Sequence, residues 1–324
     1  VETGSLISIR KNTRGILIPS EEERVQMHPM DYEEFLWAKG DVATVPLLRE
    51  AFATGMALGD GTNRKLMRDF RLYMLVGGMP QAVDALLRTN NLQEVDKVKR
   101  AIISLYEEDF HKISPSGALS MLFDAIPSQL AKKASRYQVS SVLAGRQARD
   151  ILEEIAELAD SKTVLVARQA DDPNVGLSSS VDLEKFKLYM ADTGLFVTLA
   201  FKDAEFTDNI VYDKLLSDKL PANLGMLYEN AVAQELVAHG KNLFYHTWPK
   251  ERSTRNYEID FIIPDGKKIS PIEVKSSGYK THASLDAFAG KFHSRIGRQY
   301  LIYTKDLRKD GPITCVPAYM CGLL

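Results

Sequence analysis

The chain predicts a mixed α/β fold of several domains, on three observations. Helical apolar spacing fills most of the first half, a pair of β-type runs closes a helical middle section, and a hairpin pattern with interleaved acidic residues lies near the C-terminus. At 324 residues the chain is long enough for two or three domains, each with its own core. The net charge is only −2, from 41 basic and 43 acidic side chains, so any surface for nucleic acid has to be local. A hydrophobic content of 45% with 26% charged residues belongs to an ordinary globular chain. The two cysteines, Cys315 and Cys321, match no zinc spacing and no disulfide framework, which makes a reducing cytoplasm the expected location. No apolar run reaches spanning length and residues 1–20 lack a signal peptide's apolar centre, so no membrane partner is expected.

Taken in order, residues 16–19 and 25–30 read as short extended segments, and Asp31 is the expected cap of a short helix starting at Tyr32. Further helices are predicted over about 46–54, 64–76, 80–89 and 92–112, with Gly77 and Gly78 ending one and Pro80 starting the next. A phosphate-binding loop needs Gly-x-x-x-x-Gly-Lys-Ser/Thr, because its backbone amides and lysine cradle the phosphates. The glycine-rich stretch from Gly59 to Lys65 lacks that spacing and the hydroxyl after lysine, so it is assigned to a loop.

Residues 118–125, 128–133 and 145–158 read as helices, the last with Ile151, Leu152, Ile155 and Leu158 as its apolar face. A β-type run at 164–168, a polar loop at 171–180 and a strand at 185–190 follow, which together read as a winged helix-turn-helix. Such a unit would set Arg146 and Arg149 at the start of a DNA-reading helix, with Lys132, Lys133, Arg136 and Arg168 near phosphates. The same helix carries Asp150, Glu153, Glu154, Glu157 and Asp160, which repel a phosphate backbone, and a winged helix can equally dock a protein. Asp192 is read as the cap of the helix that follows.

The C-terminal part opens with a helix at 224–239, in which Glu229 shares the stripe of Val232, Ala233, Leu236 and Val237. A carboxylate there needs a partner, either a metal site or an ion pair near Lys241. A strand at 243–248 and a basic turn at 250–255 lead to two β-type runs, 257–263 and 272–275, joined by a Pro264-Asp265-Gly266 turn signal. Alternation assigns Tyr257, Ile259, Phe261 and Ile263 to one face, Glu258 and Asp260 to the other, and Glu273 with Lys275 to a shared face of the second strand. If the polar faces coincide, Asp260, Glu273 and Lys275 converge. Two carboxylates on adjacent strands can hold Mg²⁺ or Mn²⁺, which activates a water and stabilises charge on a phosphate, while the lysine orients or polarises that water. The competing reading is cross-strand charge pairing, worth a few tenths of a kcal/mol. A helix at 285–292 and a strand at 299–304 complete an α/β sandwich. His246, His282 and His293 show no ligand spacing and are assigned structural roles.

The order of a helix with Glu229, a strand with Asp260 and a strand with Glu273-Val274-Lys275 resembles the PD-(D/E)xK nuclease superfamily, with Ile259 where its usual proline stands. That resemblance implies a restriction-endonuclease-like fold, with Asp260 and Glu273 as metal ligands, Lys275 as the water-polarising base and Glu229 as an auxiliary ligand. More widely, Thr3-Gly4-Ser5, the 27–36 run from Met27 to Leu36, Gly77-Gly78-Met79-Pro80, Asp192-Thr193-Gly194-Leu195 and Tyr228-Glu229-Asn230 resemble a family of bacterial and archaeal AAA-type ATPases with a winged helix and a nuclease-like C-terminus. The resemblance implies three parts: residues 1–113 as the end of the ATPase core and its helical lid, 114–200 as the winged helix, and 201–324 as the nuclease-like domain. It implies DNA or a protein as partner, and ATP as a ligand only of the intact parent protein. With no phosphate-binding loop or acidic Mg²⁺-binding strand in the sequence, ATP hydrolysis is not expected from this chain alone.

Overall fold

The computed structural model describes residues 25–132, 134–202, 216–217, 225–251, 253–276 and 281–324. Its strands are β1 (Val164–Ala170), β2 (Val181–Met190), β3 (Phe244–Pro249), β4 (Asn256–Asp265), β5 (Lys268–Val274), β6 (Gln299–Tyr303), β7 (Arg308–Asp310) and β8 (Ile313–Pro317). They pair into one mixed sheet in the order β2-β1-β3-β4-β5-β6-β8-β7. The parallel pairs are β1 with β3, β5 with β6 and β6 with β8, and the remaining pairs are antiparallel. The two strands expected of a wing are therefore the edge of the sheet that carries the C-terminal strands, and the sheet continues across residue 200.

The helices lie close to where apolar spacing predicts them: α1 (Tyr32–Ala38), α2 (Thr44–Thr54), α3 (Asp60–Val76), α4 (Pro80–Thr89), α5 (Leu92–Ile113), α6 (Ala118–Asp124), α7 (Ile126–Ala131), α8 (Leu152–Asp160), α9 (Thr193–Ala200), α10 (Gly225–Ala238) and α11 (Ala283–Phe292). Asp31 caps α1 in a full capping box with Glu34. Two expectations fail. The stretch from Asp60 to Lys65 is the first turns of α3, begun by Gly59 at φ +86° with the Asp306 carboxylate accepting from the Leu58 and Gly59 N–H groups. The helix expected at 145–158 is interrupted, with a 3₁₀ turn at Ala148–Ile151 before α8. The segments at Thr3-Gly4-Ser5 and 16–19 lie outside the described residues.

The sheet is buried on both faces. Phe261, Ile263, Ile272, Val274, Tyr300, Ile302 and Val316 join the core built with the helices up to α10. Ile259, Ile262, Leu301, Tyr303, Ile313 and Cys315 join a second core against Leu285 and Phe288 of α11. Both cysteines are buried, and neither is in a disulfide.

One junction ties the helical part to the sheet. Asp192 is 1% exposed, and its carboxylate accepts from Leu195 N–H at 2.8 Å, as a helix cap, and from Gly78 N–H at 2.6 Å. Its neighbour Lys99, wholly buried and pulled down to about 8 by that burial, donates to the Leu75 carbonyl at 2.6 Å and to the Gly194 carbonyl at 3.2 Å. The backbones approach so closely that a Cβ on Gly194 would overlap the Val76 carbonyl, and one on Gly78 the Met30 carbonyl. Gly77, at φ +83°, sits against Asp192 itself. We expect Gly194→Ala to destabilise the fold by about 2–4 kcal/mol through this overlap. A chemical-denaturation midpoint unchanged from the parent would show that the junction relaxes at no cost.

A second buried carboxyl lies at the far side of α10. Glu235 Oε1 accepts from Tyr32 N–H at 2.9 Å, and burial, followed by the nearby Asp31, raises its pKa to about 8. Because the folded value lies above the ordinary 4.5, the folded chain holds one proton more than the unfolded chain between those limits. Its contribution to stability is therefore fully present at or below about pH 4.5 and is lost as pH rises toward about 8. Glu235→Gln keeps an acceptor for Tyr32 without the titration. Melting temperatures followed across that range should fall less with rising pH in the variant, and parallel curves would refute the assignment.

Candidate active site

Asp260, Glu273 and Lys275 meet where β4 and β5 part. The antiparallel register runs from Asp265 opposite Lys268, beside the Gly266-Lys267 turn, to Phe261 opposite Ile272. Past that point the Val274 N–H donates to Asp260 Oδ2 at 2.7 Å, a side chain taking the place of a strand carbonyl. β5 stays with β6 longer, Lys275 N–H donating to the Ile302 carbonyl at 2.8 Å.

The simple alternation expected of β4 is broken. β3 pairs Phe244 with Ile262 but His246 with Ile259, so β4 carries one extra residue between those pairs. Tyr257 and Ile259 therefore pack toward α11, whereas Phe261 and Ile263 pack into the helical core. A bulge bends a strand and re-aims a side chain. Here it falls at Asp260, whose carboxyl is raised well above its usual range by burial first, then by Glu229 and Glu258. On β5 both Ile272 and Val274 belong to the helical core, so Glu273 between them projects to the other face, where its register partner Leu301 lies. Asp260 is thus held against the β5 backbone at the strand ends, and the two carboxylates are not carried on one flat face as simple alternation predicts.

Lys275 joins them. Its Nζ stands 2.5 Å from Glu273 Oε1, while Glu273 Oε2 is buried with no hydrogen-bond partner among the described residues. Burial works against the charge of Lys275, but Glu273, Asp260 and Glu229 outweigh it and raise its pKa. Lys275 therefore stands as a cation against Glu273, the position from which the nuclease resemblance has it polarise a water.

Glu229 lies on α10, which is docked by the residues around it. Asn230 accepts from Met190 N–H at 2.8 Å and donates to the Met190 carbonyl at 3.1 Å. Gln234 accepts from both the backbone and the hydroxyl of Thr193, and the Tyr228 hydroxyl accepts from Arg71 at 3.0 Å. Lys241 lies beyond the end of α10 at Ala238, about three turns from Glu229, whereas the charges of Asp260, Lys187 and Lys275 are felt at or from Glu229.

Three further polar groups were not legible as site residues: Lys187, Tyr189 and Glu258. Lys187 on β2 forms a buried ion pair with Glu258 on β4 and passes 5.5 Å from the Tyr245 ring centroid. Its register partner on β1 is the small Ala167, which leaves room for the lysine stem across the sheet. Burial opposes the Lys187 charge and is outweighed by Tyr189, Glu258, Glu229 and Asp260, which hold its pKa well above the ordinary value. The Tyr189 hydroxyl is buried without a partner. A lysine among apolar strand residues was the available signal, but only the parallel pairing of β1 with β3 brings it to Glu258.

The cluster carries four carboxyl groups, Glu229, Glu258, Asp260 and Glu273, against two lysines, Lys187 and Lys275. Among the described residues no group of three or more His, Cys, Asp or Glu side chains is already gathered as a metal site. The donor set still suits a hard divalent cation: it consists of carboxylate oxygens, one of them orphaned, and its carboxyl excess is two. Asp260 would release a proton to solvent on binding such an ion.

The basic residues expected near DNA are differently engaged. Arg146 pairs with Glu154 at 2.7 Å, Arg149 lies 3.7 Å from Asp150, and Arg168 is half-buried with its pKa lowered by that burial. Lys132 and Arg136 are exposed, and Lys133 lies outside the described residues. His246 is buried, bonded to the Ala170 carbonyl and stacked on Trp248, as a structural histidine.

Residues 67–205 match a family described as a domain of unknown function (DUF8612), and residues 224–319 match a second, described as a domain of unknown function (DUF4143). No curated protein and no solved structure matches the chain. Among the described residues no helix is long and apolar enough to cross a membrane.

Proposed function

We propose that the C-terminal part of this chain, from about residue 201, is a metal-dependent phosphodiesterase of the PD-(D/E)xK type acting on DNA, within a cytoplasmic protein of the AAA-type ATPase family. The observation that carries the reading is the meeting of Asp260, Glu273 and Lys275 at the parting of β4 and β5, with Glu273 Oε2 buried and unpartnered. The match of residues 224–319 to a domain found in AAA-ATPase-associated proteins supports the wider family, of which residues 1–113 would be the lid part and 114–200 the winged helix.

Asp260 and Glu273, with Glu229 as an auxiliary carboxylate, would hold Mg²⁺ or Mn²⁺. When bound, the ion would supply an activated water and a counter-charge for the phosphate. Lys275, a cation beside Glu273, would orient that water and offset charge developing on the phosphate. Lys187 would neutralise Glu258 so that the carboxyl excess falls on the ligands. ATP would belong to the intact parent protein.

One observation favours a second reading, a nuclease fold kept as a binding or regulatory module of an ATP-driven remodelling protein. Both lysines are satisfied within the cluster, and among the described residues no metal-holding group is gathered. The two readings part in a titration of Mn²⁺ by calorimetry together with cleavage of plasmid, branched and single-stranded DNA. On the phosphodiesterase reading, Mn²⁺ binds with release of a proton, more weakly at about pH 6 than at about pH 8.5, because the raised Asp260 carboxyl must ionise first. Asp260→Ala then abolishes both binding and cutting, and Lys275→Ala lowers the cutting rate by about a hundred-fold while leaving Mn²⁺ bound. Absence of Mn²⁺ binding at millimolar metal would hand the site to the second reading.

A further inference from the structure

A cavity of about 520 Å³ opens between α3 and the end of β6, one strand away from Lys275. Four cations line it, Arg64, Arg68 and Arg71 from α3 and Lys305 after β6, and among the described residues no acidic or aromatic side chain joins them in the lining. Arg64, Arg68 and Arg71 follow the i, i+4, i+7 spacing that keeps one helix face, so the row is about 10 Å long. Among the described residues no carboxylate pairs with Arg64, Arg68 or Lys305, and all three are exposed.

The walls are held in place by side-chain bonds. Asn63, 4% exposed, donates to the Thr304 carbonyl at 3.3 Å and accepts from the Tyr319 hydroxyl at 3.0 Å, which ties α3 to the end of β6. Asp306, beside Lys305, is turned away to the N–H groups of Leu58 and Gly59. Arg71 is fixed on the Tyr228 hydroxyl, next in sequence to Glu229. The backbone that carries the row is therefore fixed, with Arg71 held at one end and the exposed Arg64, Arg68 and Lys305 turned to solvent on the side of the sheet that carries α10.

We propose that this cavity is an anion subsite for the phosphodiester backbone of a nucleic-acid strand. A row about 10 Å long exceeds the step between neighbouring phosphates of one strand, so its cations can meet at least two of them, on either side of the backbone. Its composition among the described residues, arginine without an aromatic ring for a base or a carboxylate for a ribose, fits a backbone better than a mononucleotide. The subsite rests on the reading of a DNA-directed chain and gives the strand a second foothold beside the carboxylate cluster, one that needs no metal.

Fluorescence anisotropy of labelled single-stranded and duplex DNA, in EDTA at several salt concentrations, tests it. Arg64→Gln/Arg68→Gln/Lys305→Gln should weaken single-strand binding by about ten-fold at low salt and reduce the log–log salt slope by about 2, three contacts at ~0.7 each. Asp260→Ala should bind with the parent's slope, so a failed phosphodiesterase reading and a failed subsite give different results. A control that removes cations elsewhere, Arg88→Gln/Lys97→Gln/Lys112→Gln, should leave the slope unchanged. The proposal is overturned if the cavity triple variant keeps the parent's slope, or if the control lowers it equally. It is also overturned if the triple variant loses affinity for ATP or pyrophosphate while DNA binding stays as it was.

Discussion

The buried carboxylate of Asp192 is the constraint on which the rest of the structure depends. A charge taken almost wholly out of water is tolerable only if it is answered on every side, and here the N–H groups of Gly78 and Leu195 and the nearby ammonium of Lys99 do so. The answering groups come from three places: the α3–α4 corner, the start of α9, and the middle of α5. Holding them at hydrogen-bond distance brings two backbones together so closely that only glycine fits at 78 and 194. The two short glycine-bearing motifs, far apart in sequence, are thus the two halves of one joint.

From that joint the order of the candidate site can be traced outward. Met190 ends β2 two residues before Asp192, and Asn230 of α10 clasps both its N–H and its carbonyl. Gln234, one turn on, holds Thr193, the first residue of α9. Glu229 is therefore carried on a helix registered against the joint, and β2 brings Lys187 and Tyr189 into the same neighbourhood. The carboxyl cluster is an enclosed place in which charge is only partly balanced, and proton uptake by Asp260 is one way for it to relieve the excess.

Much of this was legible from sequence where local rules govern. The capping box at Asp31, the helices at 80–89 and 92–112, the hairpin of β4 and β5, and Asp192 as a cap all follow from residue types at fixed spacing. The misses have physical causes as well. A glycine-rich stretch at 59–65 reads as loop until Asp306, almost 250 residues later, supplies acceptors for the N–H groups at the start of α3. The bulge in β4 adds a residue that no period-2 pattern announces, so Asp260 was placed opposite Phe261 in phase when it lies beside the break. Lys187 was invisible because its partner depends on a parallel pairing between strands some 75 residues apart in the chain.

That parallel pairing also bears on how the chain can be divided. β1 and β3 share hydrogen bonds, with Arg168 N–H on the Leu243 carbonyl, so a cut near residue 200 would not separate two self-contained pieces. Each half would keep a strand stripped of its neighbour, and an unpaired strand edge is a template for joining another chain. A fragment beginning at 201 would meet this hazard at β3, beside the very strands that carry the carboxylates. In this architecture β1 and β2 are the sheet's own selvedge, the finished border that keeps the rest from fraying into aggregates.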